Sequence, residues 1–289
     1  NIGLAYGNKG AASKEMENYR KALGMNPKDP VVQYNMAAAL EKAGKTQEAA
    51  KHYRKVLELN PEDGDALMRL AAMEMKNKNY DQVIKLYEKA LPKVKNKGAV
   101  YANLGFAYGE IKVYKSSAEN YERALKAGFK SPQLHYNLAY AYSKLGRRKE
   151  AILNYEKYAA LQPTENVLNI LADAYMREKR YDDAIRVSKR LLNLTKKKAG
   201  AYANLGRAYG AKGDADRAIE MYKQALKYDS EDDAVFAGLG EAYEKKGLYQ
   251  EALNAYQTAY QLNPESARAA RRIPALKIKI MQDKHRAEE

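Results

Sequence analysis

The 289-residue chain contains no cysteine and only three histidines. The lack of cysteine excludes disulfides, thiolate zinc sites and cysteine nucleophiles. His52, His135 and His285 share no helical spacing, so they predict no metal site. No run approaches the roughly 18 consecutive apolar residues of a membrane span, and no basic segment followed by an apolar stretch opens the chain. We therefore expect a soluble protein, whose compartment stays open with the cytoplasm favoured.

Sequence motifs of catalysis are also missing. No Gly-x-Ser-x-Gly elbow, P-loop or dinucleotide fingerprint occurs, and the glycines fall at places set by a repeat. His135 stands where a large packing residue is usual, which favours a half-buried imidazole with its hydrogen bonds satisfied. We expect no enzymatic activity and no cofactor.

The composition favours amphipathic helices, with 30% charged and 46% hydrophobic residues. The formal net charge is +15. A charge of this size raises nucleic acid or an anionic membrane as partners, so the position of the basic residues matters.

One aromatic position recurs along the chain at a step of 34 residues, with one step of 33. It is occupied by Tyr19, Tyr53, Tyr87, Tyr121, Tyr155, Ser188, Tyr222 and Tyr256. A small residue precedes each by 16 positions: Gly3, Ala37, Ala71, Gly105, Ala139, Ala172, Gly206 and Gly240. A fixed period of this length indicates a repeat protein. We interpret the tyrosines as core and the small residues as close helix contacts.

Each repeat is predicted to be a helical hairpin. Residues 35–43 and 48–59 both place apolar side chains three and four apart, as amphipathic helices do. Gly44 divides them, at a place where a helix ends in the left-handed conformation that glycine adopts most easily. Gly10, Gly146, Gly213 and Gly247 are equivalent.

These residues resemble the tetratricopeptide repeat family. The second repeat carries its pattern as Met36, Ala37, Leu40, Gly44, Ala49, Tyr53, Leu57 and Pro61. The resemblance covers about residues 1–266 and implies an all-α, right-handed superhelical solenoid of helix-turn-helix repeats. The eight expected repeats are about 1–29 (partial), 30–63, 64–97, 98–131, 132–164, 165–198, 199–232 and 233–266.

Both ends of the chain depart from the repeat. Asn1 stands where Asn35 stands, five residues into a repeat, so we expect that the true N-terminus is missing and that a targeting or anchor segment could precede it. Residues 267–283 predict a capping helix that Pro274 kinks or divides, because terminal repeats need a polar-backed cap. Residues 285–289 are expected to fray.

Two internal departures affect packing. Glu15 and Ser117 replace the alanine of the second helix, and the fifth repeat is one residue short. We expect less regular packing at these places.

The resemblance implies a concave groove lined by the first helix of each hairpin, which holds an extended or helical segment of a partner protein. Its most informative place carries Asn1, Asn35, Asn103, Asn137 and Asn204, interrupted by Arg69, Ile170 and Gly238. An asparagine amide both donates and accepts, so a row of them can pair with a peptide backbone. The alternative is that these asparagines mainly support helix packing.

Further groove residues are predicted from the same places. Aromatic and sulfur-containing side chains suit anchor contacts; the alternative for each is burial beneath the next helix. The candidates are Tyr34, Met68, Phe106, Tyr136, Tyr140 and Met176. Arg69, Arg177 and Arg207 complete the predicted site. A carboxylate clamp, known in the family, is disfavoured because Leu4 and Asp65 replace its second asparagine and its lysine.

Most of the basic residues fall outside the groove, in clusters at 93–97, 147–149, 196–198 and 268–272. A solvated face is the favoured interpretation, since basic turns between helices are individually weak. The functional alternative is docking to RNA or an anionic membrane, although no nucleic-acid recognition motif accompanies the clusters. A further possibility is a homo-oligomer formed through the exposed repeat edges.

Overall fold

A computed structural model of the chain describes residues 12–288, with side chains from 13 to 286. The predictions on Asn1, Gly3, Leu4 and Gly10 lie outside these residues. The chain divides into two compact units, Asn1–Asn154 and Tyr155–Glu289. Every regular element described is a helix. The expected all-α fold of helical hairpins is therefore confirmed.

The first unit holds eight complete helices and the start of a ninth. They are α1 (Ala12–Met25), α2 (Pro30–Lys42), α3 (Thr46–Leu59), α4 (Gly64–Lys76), α5 (Tyr80–Ala90), α6 (Lys97–Glu110), α7 (Tyr114–Lys126), α8 (Pro132–Lys144) and α9 (Arg148–Leu161). The second unit holds the end of α9 and the remaining helices. These are α10 (Glu165–Arg177), α11 (Tyr181–Leu194), α12 (Lys198–Lys212), α13 (Ala215–Tyr228), α14 (Asp233–Lys245), α15 (Tyr249–Leu262) and α16 (Ala267–Glu288).

Side-chain caps fix where several of these helices begin. Asp29 accepts hydrogen bonds from the backbone N–H of Val31 and Val32 at the start of α2. Asp63 and Asp232 cap α4 and α14 in the same way. Such a cap satisfies backbone donors that the first helical turn leaves unpaired.

The recurrent tyrosines form the core of both units, as predicted. Every one of them is buried, from Tyr53, which has no exposed surface, to Tyr222, which is 8% exposed. The small residue 16 positions earlier provides the space for the ring. A Cβ on Gly105 would lie 2.7 Å from the ring of Tyr121, and one on Gly206 would lie equally close to Tyr222.

The left-handed residue that ends the first helix of a hairpin is not always glycine. Gly44, Gly146, Gly213 and Gly247 adopt positive φ as predicted. Lysine takes the same conformation in three other hairpins, with φ between 56° and 63°, at Lys78, Lys112 and Lys179. The hairpin therefore fixes the backbone at this place even where the residue type does not favour it.

The C-terminal helix α16 is longer than predicted. It buries Ala269 and Leu276 and continues through Pro274 to Glu288, so the tail at 285–288 is helical where we expected fraying. The segment after Asp283 contains no glycine or proline to end the helix. Within residues 12–288, no helix combines the length and apolar content needed to cross a lipid bilayer.

Candidate binding face of the A helices

We call the first helix of each hairpin its A helix and the second its B helix. The A helices are α2, α4, α6 and α8 in the first unit, and α10, α12 and α14 in the second. All eleven predicted site residues lie on these helices. We call the surface that carries these eleven side chains the A-helix face, and each unit is described by itself.

Two asparagines of the first unit hydrogen-bond to core tyrosines. The Nδ2 of Asn103 donates to the hydroxyl of Tyr87, 2.9 Å away on the preceding B helix. Asn137 makes the equivalent bond to Tyr121, and its Oδ1 accepts a bond from Gln133 at 2.9 Å. These asparagines are half-buried. Their amides thus satisfy tyrosine hydroxyls that burial would otherwise leave without partners.

The other two described asparagines of the row make different contacts. In the first repeat, buried Glu15 accepts the hydroxyl of Tyr19 at 3.3 Å, and no described residue hydrogen-bonds the half-buried Asn35. In the second unit, Ser188 stands where the tyrosine would be, and Asn204 donates to Asn169 at 2.9 Å instead. Departures from the repeat therefore redirect these amides.

Phe106 and Tyr140 are the exposed aromatic side chains of the predicted site. They are 38% and 43% exposed. Phe106 packs edge-on against Tyr80, with ring centroids 6.3 Å apart, and Tyr140 against Tyr114 at 6.1 Å. Both rings are partly exposed, and Nζ of Lys144 also lies 5.1 Å from the ring centroid of Tyr140. Because neighbouring side chains restrict each ring, less conformational entropy remains to be lost on binding.

Tyr34 and Arg69 belong to a cluster on α2 and α4. Tyr34 packs edge-on against Tyr53 at 5.4 Å, and its hydroxyl bonds to the exposed Arg69. The guanidinium also lies 3.6 Å from Glu41, which accepts the hydroxyl of Tyr53. Arg69 is therefore paired within the protein. The remaining predicted aromatic residue, Tyr136 on α8, is half-buried.

Charged side chains link successive A helices in the second unit. Arg207 on α12 donates to Asp173 on α10 at 2.6 Å. Lys245 on α14 donates to the backbone carbonyl of Gly210 at 2.8 Å. Arg268 on α16 reaches Glu241 at 3.2 Å. Arg177 is exposed on α10. One ion pair and one hydrogen bond thus join successive A helices of the second unit, and a second ion pair joins α14 to α16.

A hollow of about 470 Å³ opens on the A-helix face of the second unit. Its walls are mainly small residues of α12 and α14, and Met176 and the predicted Asn204 and Arg207 contribute to its lining. This hollow was not among the features predicted from the sequence. The signal was Gly238, where the asparagine row is interrupted.

His135 is half-buried and hydrogen-bonded, as the sequence predicts. Nδ1 of half-buried His135 lies 3.1 Å from Oδ1 of Asn154, and Nδ1 of His52 lies 2.6 Å from Oε1 of Gln33. Among the described residues no group of three or more His, Cys, Asp or Glu side chains is placed to hold a metal ion.

Part of the basic surface is neutralised between neighbouring hairpins. Lys93 pairs with Glu62 at 2.6 Å, and Lys212 pairs with Asp182 at 2.5 Å. Their spacing of 30–31 residues places each pair between equivalent ends of successive hairpins. Lys196 and Lys197 remain exposed.

This combination of stacked hairpins, a 34-residue register and a solvent-facing row on the A helices defines a helical repeat protein. The family model of the tetratricopeptide repeat protein 21 C-terminal ARM domain matches residues 1–163. Two tetratricopeptide repeat models match residues 163–231 and 203–270. The chain belongs to the tetratricopeptide repeat family. Arrays of this family are scaffolds for protein interaction, and this general class of function applies here.

Solved structures agree on the fold. A crystal structure of MamA protein is 24% identical, with a TM-score of 0.52, and the match covers 60% of this chain and 96% of that one. Another MamA structure is 25% identical at a TM-score of 0.50, covering 57% and 96%. The comparison with curated protein sequences finds no significant match.

Proposed function

We propose that the chain is a non-catalytic scaffold whose A-helix face binds a segment of a partner protein. The observation that carries this proposal is the pair of exposed aromatic rings, Phe106 and Tyr140, which stand on one unit 34 residues apart. Large aromatic side chains that are fixed by neighbours and open to solvent are typical of interface hot spots.

The asparagines have a supporting part in this proposal. Asn103 uses Nδ2 on Tyr87, and the other hydrogen-bonding positions of its amide remain for a peptide backbone. Both interpretations of the row are thereby compatible at one residue: the amide holds the core tyrosine and contacts the segment.

A double variant tests the role of the aromatic pair with little risk to the fold. Replacing Phe106 and Tyr140 with serine removes only partly exposed rings. The matched control replaces Val113 and Leu153, exposed by 42% and 50%, with serine. If each ring contributes about 1–2 kcal/mol, the double variant loses roughly 30- to 1,000-fold in affinity.

The measurement is affinity capture of proteins from an extract of the source cells, followed by mass spectrometry and titration of the captured protein. A partner retained by the wild type and the control, and lost by the Phe106/Tyr140 variant, supports the proposal. Equal retention by both variants contradicts it.

The same capture at about 0.05 and about 0.3 M salt tests the electrostatic alternative, in which the exposed lysines dock to RNA or an anionic membrane. Phosphate contacts release counterions, so affinity for such ligands falls steeply with salt. RNA or lipid that is lost only at the higher salt, with both serine variants unaffected, would favour the alternative. The molar mass over a range of concentrations tests the proposed homo-oligomer.

A further inference from the structure

In two hairpins of the first unit the core tyrosine bonds a side chain at one fixed position of the next A helix, and Tyr222 of the second unit has no side chain at that position. Tyr87 and Tyr121 each bond an asparagine amide that stands 16 residues later on the next A helix, Asn103 and Asn137. The same step from Tyr222 leads to Gly238. The side chain that would bond this hydroxyl is therefore missing.

Tyr222 occupies the space that the missing side chain leaves. A Cβ built on Gly238 would lie 2.6 Å from the Tyr222 hydroxyl oxygen. No described residue hydrogen-bonds this oxygen, yet it is not sealed from solvent, because the only buried, unpartnered side-chain oxygen or nitrogen in the described part of the chain is Oγ of Ser188. Burial raises the pKa of Tyr222 to about 12. At neutral pH the hydroxyl is thus protonated, and it can both donate and accept.

Tyr222 and Gly238 both line the hollow of about 470 Å³ described above. Small apolar residues line much of the hollow, as an aliphatic stem requires: Ala203, Gly210, Ala211, Ala234, Val235, Ala237, Gly238 and Ala242.

The basic side chains that line the hollow are already paired; of its acidic residues, Asp232 caps α14 and Asp233 accepts a hydrogen bond from Asn263. Arg207 bonds Asp173 at 2.6 Å, while Lys245 and Arg268 each lie 3.2 Å from Glu241. An anionic ligand would have to displace these carboxylates. A neutral ligand can enter without breaking any pair, which favours an uncharged polar group over an anion.

From this geometry we propose that the hollow binds a primary carboxamide, the side chain of a glutamine or asparagine in the bound segment. Its N–H donates to the hydroxyl of Tyr222 and replaces the amide that Gly238 lacks, as Asn103 supplies one to Tyr87. The inference rests on the proposed function, because it assigns a side chain of the segment that the A-helix face holds. Such a site would make the second unit select the type of side chain in the segment, whereas the asparagine row alone would contact only the backbone.

A small probe tests the hollow without the partner. The probe is N-acetyl-L-glutamine methylamide, and saturation-transfer NMR on the full chain measures its dissociation constant. With about 0.3 kcal/mol for each of its roughly 14 heavy atoms, the expected dissociation constant is about 1 mM. The isosteric glutamate and the leucine derivatives, capped in the same way, serve as comparison probes. Both should bind at least tenfold more weakly.

Three variants locate the site. Tyr222→Phe keeps the ring and removes the hydroxyl, so glutamine binding should weaken about fivefold, the value of one hydrogen bond. Gly238→Asn supplies the missing amide internally and should abolish saturable binding. Gly200→Asn is the matched control, because a side chain there meets no neighbouring atom, and it should bind like the wild type. Circular dichroism verifies that each variant is folded.

Equal binding of the glutamate probe would show anion recognition by the rim arginines and overturn the carboxamide assignment. An unchanged dissociation constant in Tyr222→Phe, or no binding to the wild type at 20 times the expected dissociation constant, would overturn it too. None of these outcomes depends on the Phe106/Tyr140 experiment, so failure of this inference leaves the proposed function standing. The result of the Phe106/Tyr140 experiment, in turn, does not depend on whether the probe binds.

Discussion

Lysine occupies a left-handed backbone position at the end of three A helices. Lys78 and Lys112 both belong to the first unit, with φ of 60° and 63°. The hydrogen bonds around them match those around glycine: Asn79 N–H donates to the carbonyl of Glu74 at 3.0 Å, as Lys45 N–H donates to Leu40 at 2.9 Å. Lysine thus adopts the same backbone geometry as glycine, and its Cβ makes that geometry sterically unfavourable.

The size of this cost can be estimated. A residue with a Cβ loses about 1–2 kcal/mol in the left-handed region, whereas glycine gives up about 0.5–1 kcal/mol through the greater freedom of its unfolded chain. We expect Lys78→Gly and Lys112→Gly each to raise the free energy of unfolding by roughly 0.5–1 kcal/mol. Because the two lysines end different A helices, we expect their effects to add, so that the double variant gains about 1–2 kcal/mol.

Urea unfolding followed by circular dichroism measures the effect as a higher midpoint with an unchanged slope. Gly146→Lys is the reciprocal control, since it places lysine at the equivalent position, with φ of 73°, and should lower stability by a similar amount. Lys85→Gly, at an exposed position inside α5, should also destabilise, by about 1 kcal/mol. Stability that is unchanged or lower in the Lys78/Lys112 double variant would refute the reasoning.

Three further outcomes are expected. Leu276→Ala should cost about 2–3 kcal/mol in urea unfolding, because this 2%-exposed side chain fixes α16, whereas Ile278→Ala, at 54% exposure, should change stability by less than about 0.5 kcal/mol. Ser188→Ala should raise the free energy of unfolding by about 1 kcal/mol, because it removes a buried hydroxyl without a partner. Ser117→Ala should lower it by about as much, because the Ser117 hydroxyl donates to a backbone carbonyl at 2.7 Å. Burial lowers the pKa of His52 from its ordinary 6.5, so the stability that the neutral imidazole contributes is complete above pH 6.5 and is lost as pH falls. The melting temperature should therefore drop more between pH 7 and pH 5 in the wild type than in His52→Gln.

Much of the fold could be predicted from the sequence because packing imposes it at every repeat. A tyrosine ring and a small residue 16 positions earlier must coincide, so their register appears directly in the residues. The lysines at positive φ could not be predicted, because residue type disfavours that conformation and only the hairpin requires it.

The candidate site was predictable in position but not in its contacts. The asparagine row lies on the A helices, yet whether an amide meets Tyr87, Asn169 or no described residue depends on which departure stands nearby. The interruption at Gly238 was visible in the sequence. Its consequence was not, because it depends on where the ring of Tyr222 lies when no side chain stands opposite it.

The two interpretations of the asparagine row can be separated at Asn103 and Tyr87. If the amide mainly supports packing, Asn103→Ala and Tyr87→Phe should each cost about 1 kcal/mol, and the double variant should cost little more than either, because both remove the same hydrogen bond. Segment binding should then tolerate all three variants.

If the amide also contacts the segment, Tyr87→Phe should preserve or strengthen partner binding, because Nδ2 is released from the hydroxyl, while Asn103→Ala weakens it several-fold. Stability then responds to both members of the pair, whereas affinity falls only when Asn103 is changed. Equal losses of affinity in Tyr87→Phe and Asn103→Ala would show that the amide acts on binding only through the fold, and Asn103 would then be a packing residue on the A-helix face.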